Sequence, residues 1–64
     1  MTRIRRGNYI FVTWRGDHLP RRLHVYRDGR LIVKWNLETN APIAGVADAR
    51  VRWMIASLRR EKLV

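Results

Sequence analysis

The chain has 64 residues, and its 14 lysines and arginines against five aspartates and glutamates give a formal net charge of +9. This length predicts a single domain, residues 1–64, with a small core, because such a chain buries only about 60% of the surface that its unfolded form exposes. The absence of cysteine excludes disulfides and thiolate metal sites, and two histidines argue against a structural zinc, so no cofactor is expected.

The N-terminal part divides into a basic arm and an aromatic strand. Residues 1–7 contain Arg3, Arg5 and Arg6 and are too polar for a core, so we expect an arm that extends the first strand or stays mobile. The sequence NYIFVTW at 8–14 is rich in aromatic and β-branched residues, which favour strands. Both faces of this strand are apolar. This leaves its inward parity open and indicates a covered strand or a subunit contact.

Residues 15–20 predict a stiff connection to the next strand. Gly16 gives the turn a free φ, Asp17 can bond to its own backbone two residues on, and Pro20 biases the residue before it towards an extended conformation. His18 lies between Asp17 and Pro20, and we expect it to hold the turn by a hydrogen bond.

Two runs of alternating apolar and polar residues, at 23–26 and 31–37, flank the Asp-Gly dipeptide at 28–29 and predict a β-hairpin. A two-residue type I′ loop would place Tyr26 opposite Leu31. That pairing mixes the polar face of one strand with the apolar face of the other, so the pattern argues against it.

We predict instead a three-residue loop at 27–29, which keeps apolar residues opposite one another. Gly29 would adopt the left-handed conformation and close the turn as a G1 bulge. The choice is important because a slip of one residue exchanges the two faces of a strand. The predicted pairs are Val25 with Leu31, Leu23 with Val33, and Arg21 with Trp35.

This register divides the hairpin side chains between a core face and a basic face. The core face would contain Leu23, Val25, Leu31, Val33, Trp35 and Leu37. The basic face would contain Arg22, His24, Tyr26, Arg30, Ile32 and Lys34. We therefore expect any ligand chemistry on the basic face.

The C-terminal third predicts one helix. Residues 38–42 lose the alternation, so we expect the sheet to end near Leu37 and an irregular crossover to follow. From about residue 46 to residue 62 the period becomes helical, and Gly45 is the predicted N-cap. The apolar stripe that should pack on the core face of the sheet consists of Ala47, Val51, Met54, Ile55 and Leu58.

Together these elements predict an α+β fold, in which a three-stranded antiparallel β-meander packs against one C-terminal helix.

Trp53 lies off the helical stripe, and Phe11 lies in the two-sided apolar strand, so we assign both to a partner interface. A homodimer or a heteromeric complex is expected. Tyr9, Phe11 and Tyr26 are also aromatics that could stack on bases.

The run from residue 7 to residue 35 resembles the bacterial domain-of-unknown-function family four-one-six-zero. Its members carry Asp-His-x-Pro-Pro-His-x-His-Val between an aromatic strand and a second strand. Arg21 and Arg22 replace the second proline and the middle histidine of that motif. The resemblance covers residues 7–60 and implies a small toxin-like protein encoded beside another, without an established activity. The matching residues are Asp17, His18, Pro20, His24, Val25, Gly29, Lys34 and Trp35.

The leading functional hypothesis is nucleic-acid binding, with RNA favoured over DNA, since arginine suits phosphate recognition. His24 is the candidate catalytic residue, as a general acid or base on an RNA phosphodiester. The alternative is that His24 is an ordinary surface histidine without a catalytic role. The residues assigned to nucleic-acid contact are Arg22, Tyr26, Arg30, Lys34, Arg3, Arg5 and Arg6.

A protein-interaction module is the second functional hypothesis. In this alternative the chain forms a complex with a small acidic protein and catalyses nothing. No apolar run approaches the ~20 residues that a membrane span needs, so we expect a cytoplasmic location and no membrane partner.

Overall fold

The computed structural model describes residues 2–14 and 21–64, which form a five-stranded antiparallel sheet and one helix. The strands lie in the sheet in their chain order, so the sheet is a meander with its first and last strands at the edges. The expectations for Gly16, Asp17, His18 and Pro20 lie outside the described residues. The elements are β1 (Thr2–Arg6), β2 (Tyr9–Thr13), β3 (Arg22–Arg27), β4 (Arg30–Asn36), β5 (Ala41–Gly45) and α1 (Ala49–Arg60).

The predicted three-stranded sheet is wrong because two segments without an apolar pattern add a strand at each edge. The expected basic arm is β1, which pairs with β2 through a turn in which Gly7 has a φ of +60°. The expected irregular crossover is in part β5, which pairs with β4. Edge strands are held by backbone hydrogen bonds on one side and bury few side chains, so alternation does not reveal them. Pro42 is tolerated in β5 because β5 is an edge strand.

The β3–β4 hairpin has the two-residue turn that the apolar pattern argued against. Asp28 and Gly29 have φ values of +51° and +79°, as a type I′ turn requires, and Arg27 pairs with Arg30. The predicted three-residue loop is therefore wrong. The observed pairs also include Leu23 with Trp35, Val25 with Val33, and Tyr26 with Leu31.

A β-bulge explains how this turn is compatible with a single apolar face. Between the pairs Tyr26–Leu31 and Val25–Val33, β4 has one residue more than β3, and this extra residue is Ile32. Ile32 packs against the core, whereas Leu31 is 44% exposed. The predicted sides of these two residues are therefore exchanged.

The core lies between α1 and one face of the sheet. The helical stripe is confirmed, since Ala47, ahead of the helix, and all four of its residues within α1 are buried. The predicted N-cap is wrong, because Asp48 caps the helix and its Oδ1 accepts a hydrogen bond from the Val51 amide at 2.9 Å. Within the described part of the chain, no helix has the length and apolarity to cross a membrane.

The inward parity of the aromatic strand, which the sequence left open, is set by Tyr9 and Phe11. Both side chains belong to the core cluster, and Phe11 is fully buried. Phe11 is therefore not available to a partner, and neither residue presents its ring for base stacking. Val12 has the opposite parity and lies outside that cluster, although it is only 7% exposed.

Candidate nucleic-acid interface

The face of the sheet opposite α1, here called the open face, has no described helix packed on it. Its central row crosses all five strands, and each residue pairs with the next. Directly paired residues of antiparallel strands have their Cβ atoms about 5 Å apart and share a face. The row consists of Arg3, Val12, His24, Lys34 and Ala44.

Two shorter rows extend the open face on either side of the central row. One contains Arg5, Ile10, Tyr26 and Leu31, and the other contains Arg22 and Asn36. Arg3 and Arg5 therefore lie on the edge strand β1, Arg22 lies at the start of β3, and Lys34 lies on β4 beside His24. The centre of the open face is apolar and aromatic, with an imidazole among the apolar side chains.

The described strands give the open face a single sign of charge. None of the five strands contains an aspartate or glutamate. The described carboxylates belong instead to the two turns that follow β3 and β4, to the N-cap and to the C-terminal end of α1. No acidic side chain in these strands competes with a phosphate for the cations. The described carboxylates are Asp28, Glu38, Asp48 and Glu61.

His24 lies at the middle of the open face, as predicted, and pairs with Lys34. The side chain is partly buried, and its Nδ1 atom is buried without a hydrogen-bond partner among the described residues. The large majority of buried side-chain polar atoms in proteins have such a partner, so this nitrogen is an exception that needs a cause. Because Nδ1 is shielded, a proton transfer to a ligand would have to use Nε2.

Two of the predicted contact residues do not lie on the open face. Arg6 pairs with Tyr9, and its Nη2 lies 3.3 Å from Glu61 Oε1 beyond the end of α1. Arg30 pairs with Arg27, in the row that includes Tyr9, because the bulge shifts the parity of β4. The pKa of Arg27, the partner of Arg30 in this row, is raised above its ordinary value, mainly by a hydrogen bond with the Tyr9 hydroxyl.

Ile10, Val12 and Leu31 lie on the open face although the sequence did not predict them there. The Asp-Gly dipeptide at 28–29, combined with a bulge in β4, would have placed Leu31 there. Nothing in the sequence indicated the parity of Ile10 and Val12, because both faces of β2 are apolar.

Trp53 is 67% exposed on α1, in agreement with its place off the helical stripe. Beside it runs a groove of about 250 Å³. The groove has both an anionic and a cationic residue, so its charge does not favour an acidic partner over a basic one. Its lining residues are Arg6, Trp53, Met54, Ser57 and Glu61.

Comparison of the chain with protein-family models, with curated proteins and with solved structures found no match. The resemblance to family four-one-six-zero therefore stays a prediction that rests on the quoted motif. The geometry of the open face is therefore the remaining indication of function.

Proposed function

We propose that the protein binds single-stranded RNA through the open face. One observation carries this proposal: cations flank an apolar and aromatic centre on a sheet whose strands contain no carboxylate. Sheet surfaces that bind single strands combine these two properties, because phosphates need cations and unpaired bases need flat apolar or aromatic surfaces. A cytoplasmic location belongs to the same proposal.

The dimensions of the open face support a single strand that crosses the sheet. Arg3 and Arg5 lie on β1 and Lys34 on β4, three strand spacings or about 14 Å away. Tyr26 and His24 lie on β3, between these cations. Phosphates would contact Arg3 and Arg5 on one side and Lys34 on the other, and bases would stack between them.

The proposal is limited to binding. Acid–base cleavage of RNA uses both a general base and a general acid, and the five strands contain a single histidine, His24, with no aspartate or glutamate to act beside it. The family motif also has a histidine where this chain has Arg22. Purified protein should therefore leave RNA intact. If the wild type cleaves RNA and His24→Ala abolishes the cleavage, the hypothesis of an RNase replaces that of a binding module.

The two lysines of the chain offer a matched test of the site. Lys34 lies on the open face and Lys62 follows α1, so Lys34→Gln and Lys62→Gln make the same chemical change on opposite sides. Binding to a single-stranded RNA should weaken as salt rises, with a log–log slope of about 0.7 for each phosphate neutralised. Lys34→Gln should lower this slope by about one contact, and Lys62→Gln should leave it unchanged. Equal effects of the two variants would contradict the proposed site.

A protein partner is a second candidate function, which the exposed Trp53 favours. Exposed tryptophans are enriched among the residues that dominate interface energies. In this case Trp53→Ala should abolish capture of the partner from cells, and Lys34→Gln should not. Sedimentation of the purified protein tests the homodimer, the simplest form of this hypothesis.

A further inference from the structure

A cleft lies on the helix side of the sheet, between α1 and the turn at residues 37–40. Its volume is about 460 Å³, within the range of small-molecule sites. Three guanidinium groups line it, and none of its described lining residues is acidic. The lining residues are Trp35, Asn40, Arg52, Ala56, Arg59 and Arg60.

Two of these arginines are held in place by the fold. Arg59 donates from Nη1 to the Leu37 carbonyl oxygen at 2.9 Å. Arg52 donates from Nε to the Ala47 carbonyl oxygen at 3.0 Å, and its Cζ lies 5.3 Å from the centroid of the Trp35 ring. Each guanidinium has five N–H donors, so one such bond leaves most of them for a ligand. Side chains that are already ordered lose less conformational entropy on binding.

The helix itself does not account for all three charges. Cations near a helix C-terminus are favoured by the macrodipole, which explains Arg59 and Arg60. Arg52 lies in the first turn of α1, where the dipole disfavours a cation. Ala56 lies four residues from Arg52 and from Arg60, so its small side chain leaves space between them.

We infer that this cleft binds a phosphate monoester. Three guanidinium groups in a described lining that contains no carboxylate match a dianion, and each can donate two parallel hydrogen bonds to phosphate oxygens. The amide of Asn40, whose Oδ1 accepts from Trp35 Nε1 at 3.3 Å, retains its own N–H groups for the ligand. The cleft and the open face share no residue, so this inference does not rest on RNA binding.

An NMR titration of the full chain with inorganic phosphate tests the inference. Sodium chloride keeps the ionic strength constant, and the Nε–H resonances of Arg52 and Arg59 and the Nε1–H resonance of Trp35 report on the cleft. We expect shifts that saturate with one dissociation constant at all three groups. Acetate should produce no saturating shift. A linear drift with phosphate, or equal binding of acetate, would overturn the inference.

Two substitutions of Ala56, at the centre of the cleft, distinguish the effect of a negative charge from the effect of a larger side chain. Ala56→Glu places a carboxylate next to Arg52 and Arg60 and should weaken phosphate binding at least tenfold. Ala56→Gln has nearly the same size without the charge and should stay within about threefold of the wild type, since only weak hydrogen bonding changes. Position 56 is exposed, so both variants should fold. Unchanged binding by Ala56→Glu, or an equal loss in both variants, would refute the assignment.

Two further ligands test whether the monoester belongs to a small metabolite or to the end of a nucleic acid. A nucleoside 5′-monophosphate represents a small metabolite, and a 5′-phosphorylated RNA oligonucleotide, compared with its 5′-hydroxyl form, represents the end of a nucleic acid. Either ligand should shift Arg52 and Arg59 if the cleft takes monoesters, and a failure of both contradicts the inference. The 5′-hydroxyl oligonucleotide reports separately on the open face through Tyr26 and Lys34.

Discussion

The cations on the two sides of the sheet differ in what holds them. On the helix side, Arg6 lies 3.3 Å from Glu61, Arg59 donates to a backbone carbonyl, and Arg52 lies over the ring of Trp35. On the open face, within the described residues, Arg5 donates from Nε to the Gly7 carbonyl oxygen at 3.1 Å, whereas no hydrogen bond or ion pair holds Arg3, Arg22 or Lys34. Like side chains therefore have different surroundings on the two sides.

This difference separates charge that supports the fold from charge that is available to a ligand. An arginine with a protein partner contributes to stability, and its loss leaves that partner unsatisfied. A cation without a protein partner contributes little to stability, and it keeps its hydrogen-bonding capacity for a phosphate. The net charge of +9 does not distinguish the two groups. The pairing of the strands and the position of α1 distinguish these two groups of cations.

The largest expected effect concerns which face of β2 is the core. Phe11 and Val12 are neighbours with opposite parity, and Phe11 belongs to the core cluster whereas Val12 does not. Phe11→Ala should lower the free energy of unfolding by about 3–5 kcal/mol, since it leaves a cavity in the core. Val12→Ala should cost about 1–2 kcal/mol for its lost buried carbons. Urea denaturation measures both, and equal losses would contradict the assigned faces.

The sequence predicted the parts of the fold in which one face is apolar. The helical stripe, the side of β3 on which His24 lies and the position of Trp53 off the core all follow from periodicity. The edge strands do not, because Thr2–Arg6 and Ala41–Gly45 are ordered by their pairing with β2 and β4 rather than by burial. Their own residues contain too little apolar alternation to reveal this.

The register of the hairpin shows a different limit. A continuous apolar pattern predicts a three-residue loop, because only that loop keeps apolar residues opposite one another. The protein keeps the short turn and inserts Ile32 as a bulge, which exchanges the predicted sides of Leu31 and Ile32 and moves Arg30 off the open face. The cleft at Arg52 was missed for another reason. Its lining residues are distant in sequence and meet only when α1 packs beside the turn at 37–40.

The next prediction tests whether the imidazole at the centre of the open face lowers the stability of the fold. His24 Nδ1 is buried without a described partner, and such an atom costs about 1–3 kcal/mol. His24→Leu removes it at similar volume, so the unfolding free energy should rise by about 1 kcal/mol. RNA affinity should fall at the same time. A variant less stable than the wild type would show that the imidazole is satisfied in the folded protein.

A smaller effect compares one cation from each side of the sheet. Arg59→Gln removes a hydrogen bond to the Leu37 carbonyl and should lower the unfolding free energy by about 1 kcal/mol. Lys34→Gln should change it by less than about 0.5 kcal/mol, as for other surface substitutions. Thermal unfolding of both variants at one ionic strength provides the measurement. If Lys34→Gln were the more destabilising, the distinction between the two groups of cations would fail.

The smallest effect concerns the ion pair between β1 and the end of α1. The side chains of Arg6 and Glu61 are 44% and 53% exposed, and exposed pairs contribute about 0.2–1 kcal/mol. A double-mutant cycle with Arg6→Gln and Glu61→Gln should give a coupling in that range at low salt. Because solvent ions screen exposed charges, the coupling should vanish in about 1 M salt. Coupling that persists there would mean that Arg6 is held by more than charge. The helix side would then depend less on electrostatics than its arginines suggest.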